Sequence, residues 1–500
     1  MEIQINRFSE PILQYGNGEG FEPRKDLRAF GPLTKTPLLQ LNLGLVGAEH
    51  DIVRCLEWID ILNRPAVTNE SNAKRFRQYP GAPKAWGISF CAPSHFIRKI
   101  SDSAMSILIN RVKEKISAAI FEEALSLFCE QIESLCLDRH PEAIIIILPE
   151  VLGDLSIQNP LLTEREKRIL EEFQSDVESE QIGLFELDSE SIRVAEDLLT
   201  YSQDLIFRNF CRALKARAMQ ISNCPPIQII RSETIARDSE RQSEATRAWN
   251  LSLALYYKAG NIPWKLRDLP PSRCFVGISF HHLKTREGEL VYASTAQAFS
   301  TEIEPFALKG SYVPREQRRD KQPYLNQDQA ASVIEKIIAG YKRQAGVEPS
   351  QIVIHKSTPF QPEEKTGFIE QCEKSEIDCR MVSIGPTGFR LAQRGNVEPP
   401  RGTCCKISQR EGFLFTTGYI PWWDSYPGPH IPAPLRLIVE DGIEFDDRAS
   451  EILALTKMNW NSSDGIGAVP ITLSFARRVG LIMTEMGDSD AINPLYRYYM

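Results

Sequence analysis

Cysteine occurs 11 times in these 500 residues, yet no Cys-x-x-Cys pair occurs. Cys404 and Cys405 are adjacent, Cys129 and Cys136 lie seven apart, and the rest are scattered. That pattern argues against a zinc module. A chain able to bury a large core needs no disulfides, so a reducing compartment is expected. No apolar run approaches the roughly 20 residues that a membrane span requires. The first residues, MEIQINRFSEP, lack a basic-then-apolar signal, and a cytoplasmic protein is expected. There is no internal repeat or low-complexity tract. No Gly-rich dinucleotide loop follows the early strands either. Gly16, Gly18 and Gly20 precede any expected strand and read as loop, so NAD is not assigned to this chain.

What is present is ordinary for globular protein: 42% hydrophobic and 25% charged residues. The length implies about two or three domains. The net charge of −8 is unevenly spread. Between Leu205 and Lys321 stand 19 Lys/Arg against 11 Asp/Glu, a basic middle in an otherwise acidic chain. Such a middle is either one polyanion-binding surface or a clustering of solvated side chains.

Periodicity predicts an α/β fold. Residues 1–30 read as a polar, extended lead-in. Short strands are expected at Leu38–Val46, Trp86–Cys91, Ala143–Leu148 (AIIIIL) and Ile227–Ile230. Helices are expected at Asp51–Leu62, over Ile100–Leu137 as one or two, and at Thr163–Phe173, Leu205–Gln220 and Ser243–Lys258. The short β-branched run 143–148 has the composition of a strand buried on both faces of a parallel sheet. After Pro270–Pro271 the pattern restarts, and the boundary is placed at Pro270–Ser272. Strands follow at Cys274–Phe280, Gly288–Ala293, Gln351–His355, Arg380–Ile384, Lys406–Ser408, Gly412–Thr417 and Leu435–Glu440. Helices follow at Gln327–Arg343 (with Asn326 as N-cap), Ala449–Thr456 and Thr472–Glu485. The stretch Ala254–Leu266, ALYYKAGNIPWKL, ends a helix at Lys258, turns at Gly260 and re-enters at Pro263–Trp264. A lysine beside a costly-to-expose tryptophan reads as a cation fixed at a packed seam.

In order along the chain stand LKARAM (Leu214–Met219), PIQII (Pro226–Ile230), ALYYKAGNIPWKL, VGISF, IVIHK (Ile352–Lys356) and LTKMNWNSS (Leu455–Ser463). Together they resemble a short prokaryotic Argonaute over roughly residues 25–500. The resemblance implies a Rossmann-like MID domain at 31–269, which holds the 5′ end of a guide, after the lead-in at 1–30. An RNase H-like PIWI domain follows at 270–500. It also implies that Lys215, Gln228 and Lys258 line the guide 5′-phosphate pocket. Read as residues alone, the two lysines are equally solvated helix positions and Gln228 an ordinary strand polar group. Cys211, four residues before Lys215, stands where the family has Tyr or His. A thiol stacks poorly and donates weakly. Arg208 and Arg212 would add charge. In the family the terminal carboxylate, here that of Met500, reaches this pocket. Carboxylate and phosphate repel unless a cation lies between them, so Mg2+ follows if the tail docks. The alternative is a tail packed on the PIWI core.

Cleavage by an RNase H-like site needs carboxylates holding two metal ions about 4 Å apart. Where active relatives carry the first, VGISF places Ser279. After the IVIH strand stand Lys356 and Ser357, and neither Asp nor His occurs over Thr456–Asn459. Slicing is therefore not expected. A different metal site at His281, His282 and His355 is the competing reading. The resemblance further implies an RNA guide, a single-stranded DNA target and a separately encoded APAZ effector (TIR, sirtuin-like or nuclease) that target recognition switches on for defence. A displaced but active RNase H-type nuclease and a stand-alone α/β nucleotide-binding or scaffold protein remain as alternatives.

Overall fold

The computed structural model describes residues 3–500 apart from 35–38, 69, 138–139, 159–205, 237–241, 285–289, 301–302, 315–316, 320–321, 393–397, 429–430, 441–443 and 488–489. The helix expected at Thr163–Phe173 lies outside the described residues.

Residues 1–30, expected as an extended lead-in with a loop at 16–20, contain regular structure. Strand β1 (Gln4–Arg7) pairs antiparallel with residues 403–406, and Leu13–Gln14 pairs with Glu19–Gly20. Helix α1 (Pro23–Phe30) starts on a proline, whose fixed φ suits a first helical turn. These pairings are long-range or lean on two-residue strands, which leave no periodic trace.

The first sheet is built from β2 (Gln40–Ala48), β3 (Ser89–Cys91), β4 (Ile97–Ile100), β5 (Ala143–Leu148) and β7 (Ile227–Arg231), all pairings parallel. The order is β7-β5-β2-β3, with β4 also on β2. All six residues of β5 are buried, because helices cover both faces: α2 (Glu49–Leu62) on one, α3 (Asp102–Glu114) and α4 (Ala118–Cys136) on the other. The region 100–137 thus divides in two, where Ser117 begins α4 as a side-chain N-cap. The helix expected over Leu205–Gln220 is shorter. Strand β6 (Ile206–Asn209) comes first, paired with Ser156–Gln158, and helix α5 (Phe210–Ala218) starts only after Asn209. Helix α6 (Glu244–Lys258) has Ser243 as its N-cap.

The second sheet has nine strands: β8 (Arg273–Lys284), β9 (Leu290–Phe299), β10 (Phe306–Val313), β11 (Gln351–Lys356), β12 (Asp378–Gly385), β13 (Thr403–Lys406), β14 (Glu411–Leu414) and β15 (Leu435–Val439), with β1 on its edge. The order is β1-β13-β14-β15-β12-β11-β8-β9-β10. Only β8–β11 and β11–β12 are parallel. Helices α7 (Gln327–Ala345), whose capping box uses Asn326, and α8 (Pro362–Lys374) cover one face. Helices α9 (Phe445–Leu455) and α10 (Ile471–Met483) cover the other. Strand β10 and helix α8 were absent from the sequence reading, and the strand expected at 406–408 ends at Lys406. Trp264 is fully buried at the seam, its indole N–H donating to the Lys457 carbonyl at 3.1 Å.

Candidate functional site

Two helices of the first half and the last turn of the chain meet at one point. Lys215 on α5 and Lys258 at the end of α6 both donate to the main-chain oxygen of Met500, at 2.8 Å and 2.6 Å. Lys258 also donates to the Arg497 carbonyl at 3.3 Å and is only 1% exposed. Burial, reinforced by the nearby Lys215 and Arg478 charges, holds the Lys258 pKa well below the ordinary lysine value.

The tail is packed into place. Ala307 N–H donates to Pro494 O at 2.7 Å and Tyr496 N–H to Pro305 O at 3.1 Å, while Tyr496 stacks on Phe475. Arg497 pairs with Glu304 at 3.0 Å. After α6 the chain turns at Gly260, whose φ is +91°. A Cβ there would also lie 2.6 Å from the Arg497 guanidinium, so glycine admits both the turn and the tail.

The other expected pocket residues make different contacts. Gln228 is on β7, opposite Ile145; its Nε2 donates to Ile229 O at 3.0 Å and its buried Oε1 has no hydrogen-bond partner. Cys211 points its thiol at Gly153 O, 3.5 Å away. The Arg212 main-chain N–H is bound by the Asn209 side chain at 3.1 Å, which caps α5. Arg208, expected to add charge, pairs with Glu122 and, at 2.9 Å, with Glu485, and lies over the Phe121 ring. Glu485 carried no sequence signal of a role at α5.

No protein-family model and no curated protein matches the sequence. Solved structures do. A Clostridium butyricum Argonaute bound to a guide DNA and a 19-mer target DNA superposes with TM-score 0.62 at 15% identity, over 99% of this chain and 55% of that one. The fold is that of an Argonaute. Aa-Ago with externally-bound siRNA (0.56, 16%, 99% and 56%) and A. aeolicus Argonaute (0.52, 16%, 98% and 54%) agree. The chain spans about half the length of these structures.

Within the Argonaute fold, the first two carboxylates are expected on β8 and just after β11. They run parallel with Gly277 opposite His355 and Ile278 opposite Lys356. A Cβ on Gly277 would lie 2.1 Å from Thr472 O, and His355 Nδ1 is 2.9 Å from Thr472 Oγ1, so this face lies against α10. Strand alternation puts Ser279 on that same face, and Ser357 stands just past the end of β11. Lys356 takes the other. Its Nζ meets the buried Glu364 carboxylate at 2.6 and 2.7 Å, near the rings of Phe280 and Phe360. At Thr456 the hydroxyl accepts from Arg401 and donates to Leu453 O. His355 is buried, and its pKa is pushed down to about 3 by that burial and by Arg448. The side chains of His281 and His282 lie outside the described residues.

Proposed function

We propose that this chain is the sensing subunit of a guide-directed system. It would hold the 5′ end of an RNA guide at Lys215, Lys258 and Gln228, present the guide to complementary single-stranded DNA, and signal to a separate APAZ-containing effector. The convergence of two ammonium groups on the Met500 oxygen carries this reading. Two cations from separate helices, one of them buried, form a preorganised seat for a dianion. Turning the Gln228 amide over would put NH2 donors where the buried Oε1 now stands without a partner.

Base pairing would read the target, while the protein reads backbone geometry. The basic stretch 205–321 would neutralise phosphates, so affinity should fall with salt. Among the described residues no group of three or more His, Cys, Asp or Glu side chains could hold a metal ion. Mg2+ would accordingly need the guide phosphate, with the terminal carboxylate of Met500, to hold it here. It would supply the charge that keeps those two anions together.

The first test compares binding of short RNA bearing 5′-phosphate or 5′-hydroxyl, in Mg2+, to wild type and to Lys215→Ala/Lys258→Ala. Losing charge-assisted contacts costs about 1.5–3 kcal/mol, roughly tenfold or more. A phosphate preference that the double variant abolishes supports the reading; equal binding in all four cases overturns it. Ser279 and Ser357 are neutral and poor ligands for a divalent ion, so guide-loaded protein should leave complementary DNA intact in Mg2+ or Mn2+. Cleavage would favour the nuclease alternative. Co-expression with APAZ-containing proteins, followed by co-purification, tests the partner.

A further inference from the structure

Two residues past α10, Glu485 places a carboxylate of 3% exposure against the start of α5. Oε1 accepts the main-chain N–H of Asn209 at 2.7 Å, and Oε2 accepts Arg208 Nε at 2.9 Å. Asn209 is the residue whose side chain caps α5. A residue of the second half of the chain thus grips the N-cap of the helix that carries Lys215. Arg212, one turn in, also interacts favourably with this carboxylate.

We propose that Glu485 is a positioning residue for the guide 5′-phosphate pocket, fixing the first turn of α5 and with it the direction of the Lys215 ammonium. This rests on the guide-end reading above. Helix α5 has only nine residues, and a helix that short depends on its cap and its packing rather than on its own propensity. Lys215 stands six residues after the cap, so a displaced first turn carries it along. Without Glu485 the buried Asn209 N–H would lose its acceptor and Arg208 would keep only Glu122, and the turn would move to rehydrate that N–H. Lys258 would stay, because α6 is capped independently by Ser243. A phosphate gripped from two helices discriminates only while both donors converge. The Glu485 carboxylate is bound to Asn209 and Arg208 and is assigned no contact with the guide.

The test is the affinity ratio of 5′-phosphate to 5′-hydroxyl RNA, measured for wild type, Glu485→Ala, Glu485→Gln and Glu122→Ala, with thermal unfolding run alongside. Glu485→Ala should lower the ratio about tenfold and leave 5′-hydroxyl binding in place. Glu485→Gln, which keeps an acceptor for the Asn209 N–H, should recover part of it. Glu122→Ala removes only part-exposed pairs, one with the same arginine and one with Arg217 on α5, and should change the ratio less than about twofold. An unchanged ratio in Glu485→Ala overturns the proposal, as does an equal loss for both RNAs, which would mark a merely structural role. A wild type without phosphate preference overturns the pocket itself, and this inference with it.

Discussion

Lys258 combines two demands that oppose each other in isolation. It is buried to 1% exposure, yet it faces main-chain oxygens that reward a positive charge. Burial and the neighbouring Lys215 and Arg478 charges lower its pKa, so its proton leaves at a lower pH than an ordinary lysine's. The ammonium is present below that lowered pKa and lost as pH rises through it. Affinity for 5′-phosphate RNA should therefore fall as pH rises, before the ordinary lysine value of about 10.4 is reached. Lys258→Met should bind more weakly on the low-pH side of that fall, with a flatter profile. A titration of binding against pH in both proteins checks this. Lys215 and Lys258 were legible because a helix end before a glycine turn, and an ordered set of motifs, marked them. The pairing of Arg208 with Glu485 was not, since hydrogen bonds between residues 277 apart leave no local pattern.

Helix α10 is the element that joins the two regions of interest. Its first turn lies on β8 and β11, and the chain just past its end holds α5. Gly277 lets the helix approach. Gly277→Ala would put a methyl 2.1 Å from Thr472 O and should destabilise by about 1–3 kcal/mol, the usual range for overpacking, measurable by denaturant unfolding. His355 links β11 to the same turn. Its folded pKa of about 3 lies below the ordinary 6.5, so below pH 6.5 the unfolded chain takes up a proton that the folded one refuses. Stability from this group is full above pH 6.5 and drains as pH falls, by up to about 1.4 kcal/mol per pH unit. Unfolding at about pH 6.5 and about pH 5 should show a loss near 2 kcal/mol in wild type, and a smaller one in His355→Gln. Strand β11 was read within a residue from its apolar run. Strand β10 was missed because its FALKGSYV sequence carries a lysine and a glycine in its middle.

At the scale of the whole molecule, the first residues return to the second sheet. Glu10 is held by Lys457 and, at 3.1 Å, by Arg401, both cations having fully buried side chains. Burial alone would raise the Glu10 pKa, but the two cations hold it below the ordinary carboxylate value. Glu10→Ala would strand two buried cations and should destabilise by about 3–5 kcal/mol. Chemical unfolding of the variant beside wild type measures this. A loss below about 1 kcal/mol would mean that water reaches the pair.

Composition and periodicity by themselves determined the α/β class, the buried strand at 143–148 and the helix ending at Lys258. These are local facts: side-chain type, and repeats of 2 or 3.6 residues. Only the tertiary structure decided that β1 belongs to the second sheet, that Glu485 holds the start of α5, and that Lys215, Lys258 and Met500 meet. Such contacts join residues hundreds of positions apart. What selects them is the requirement that buried charges and main-chain groups find partners, and that requirement can be met only once the whole chain has closed.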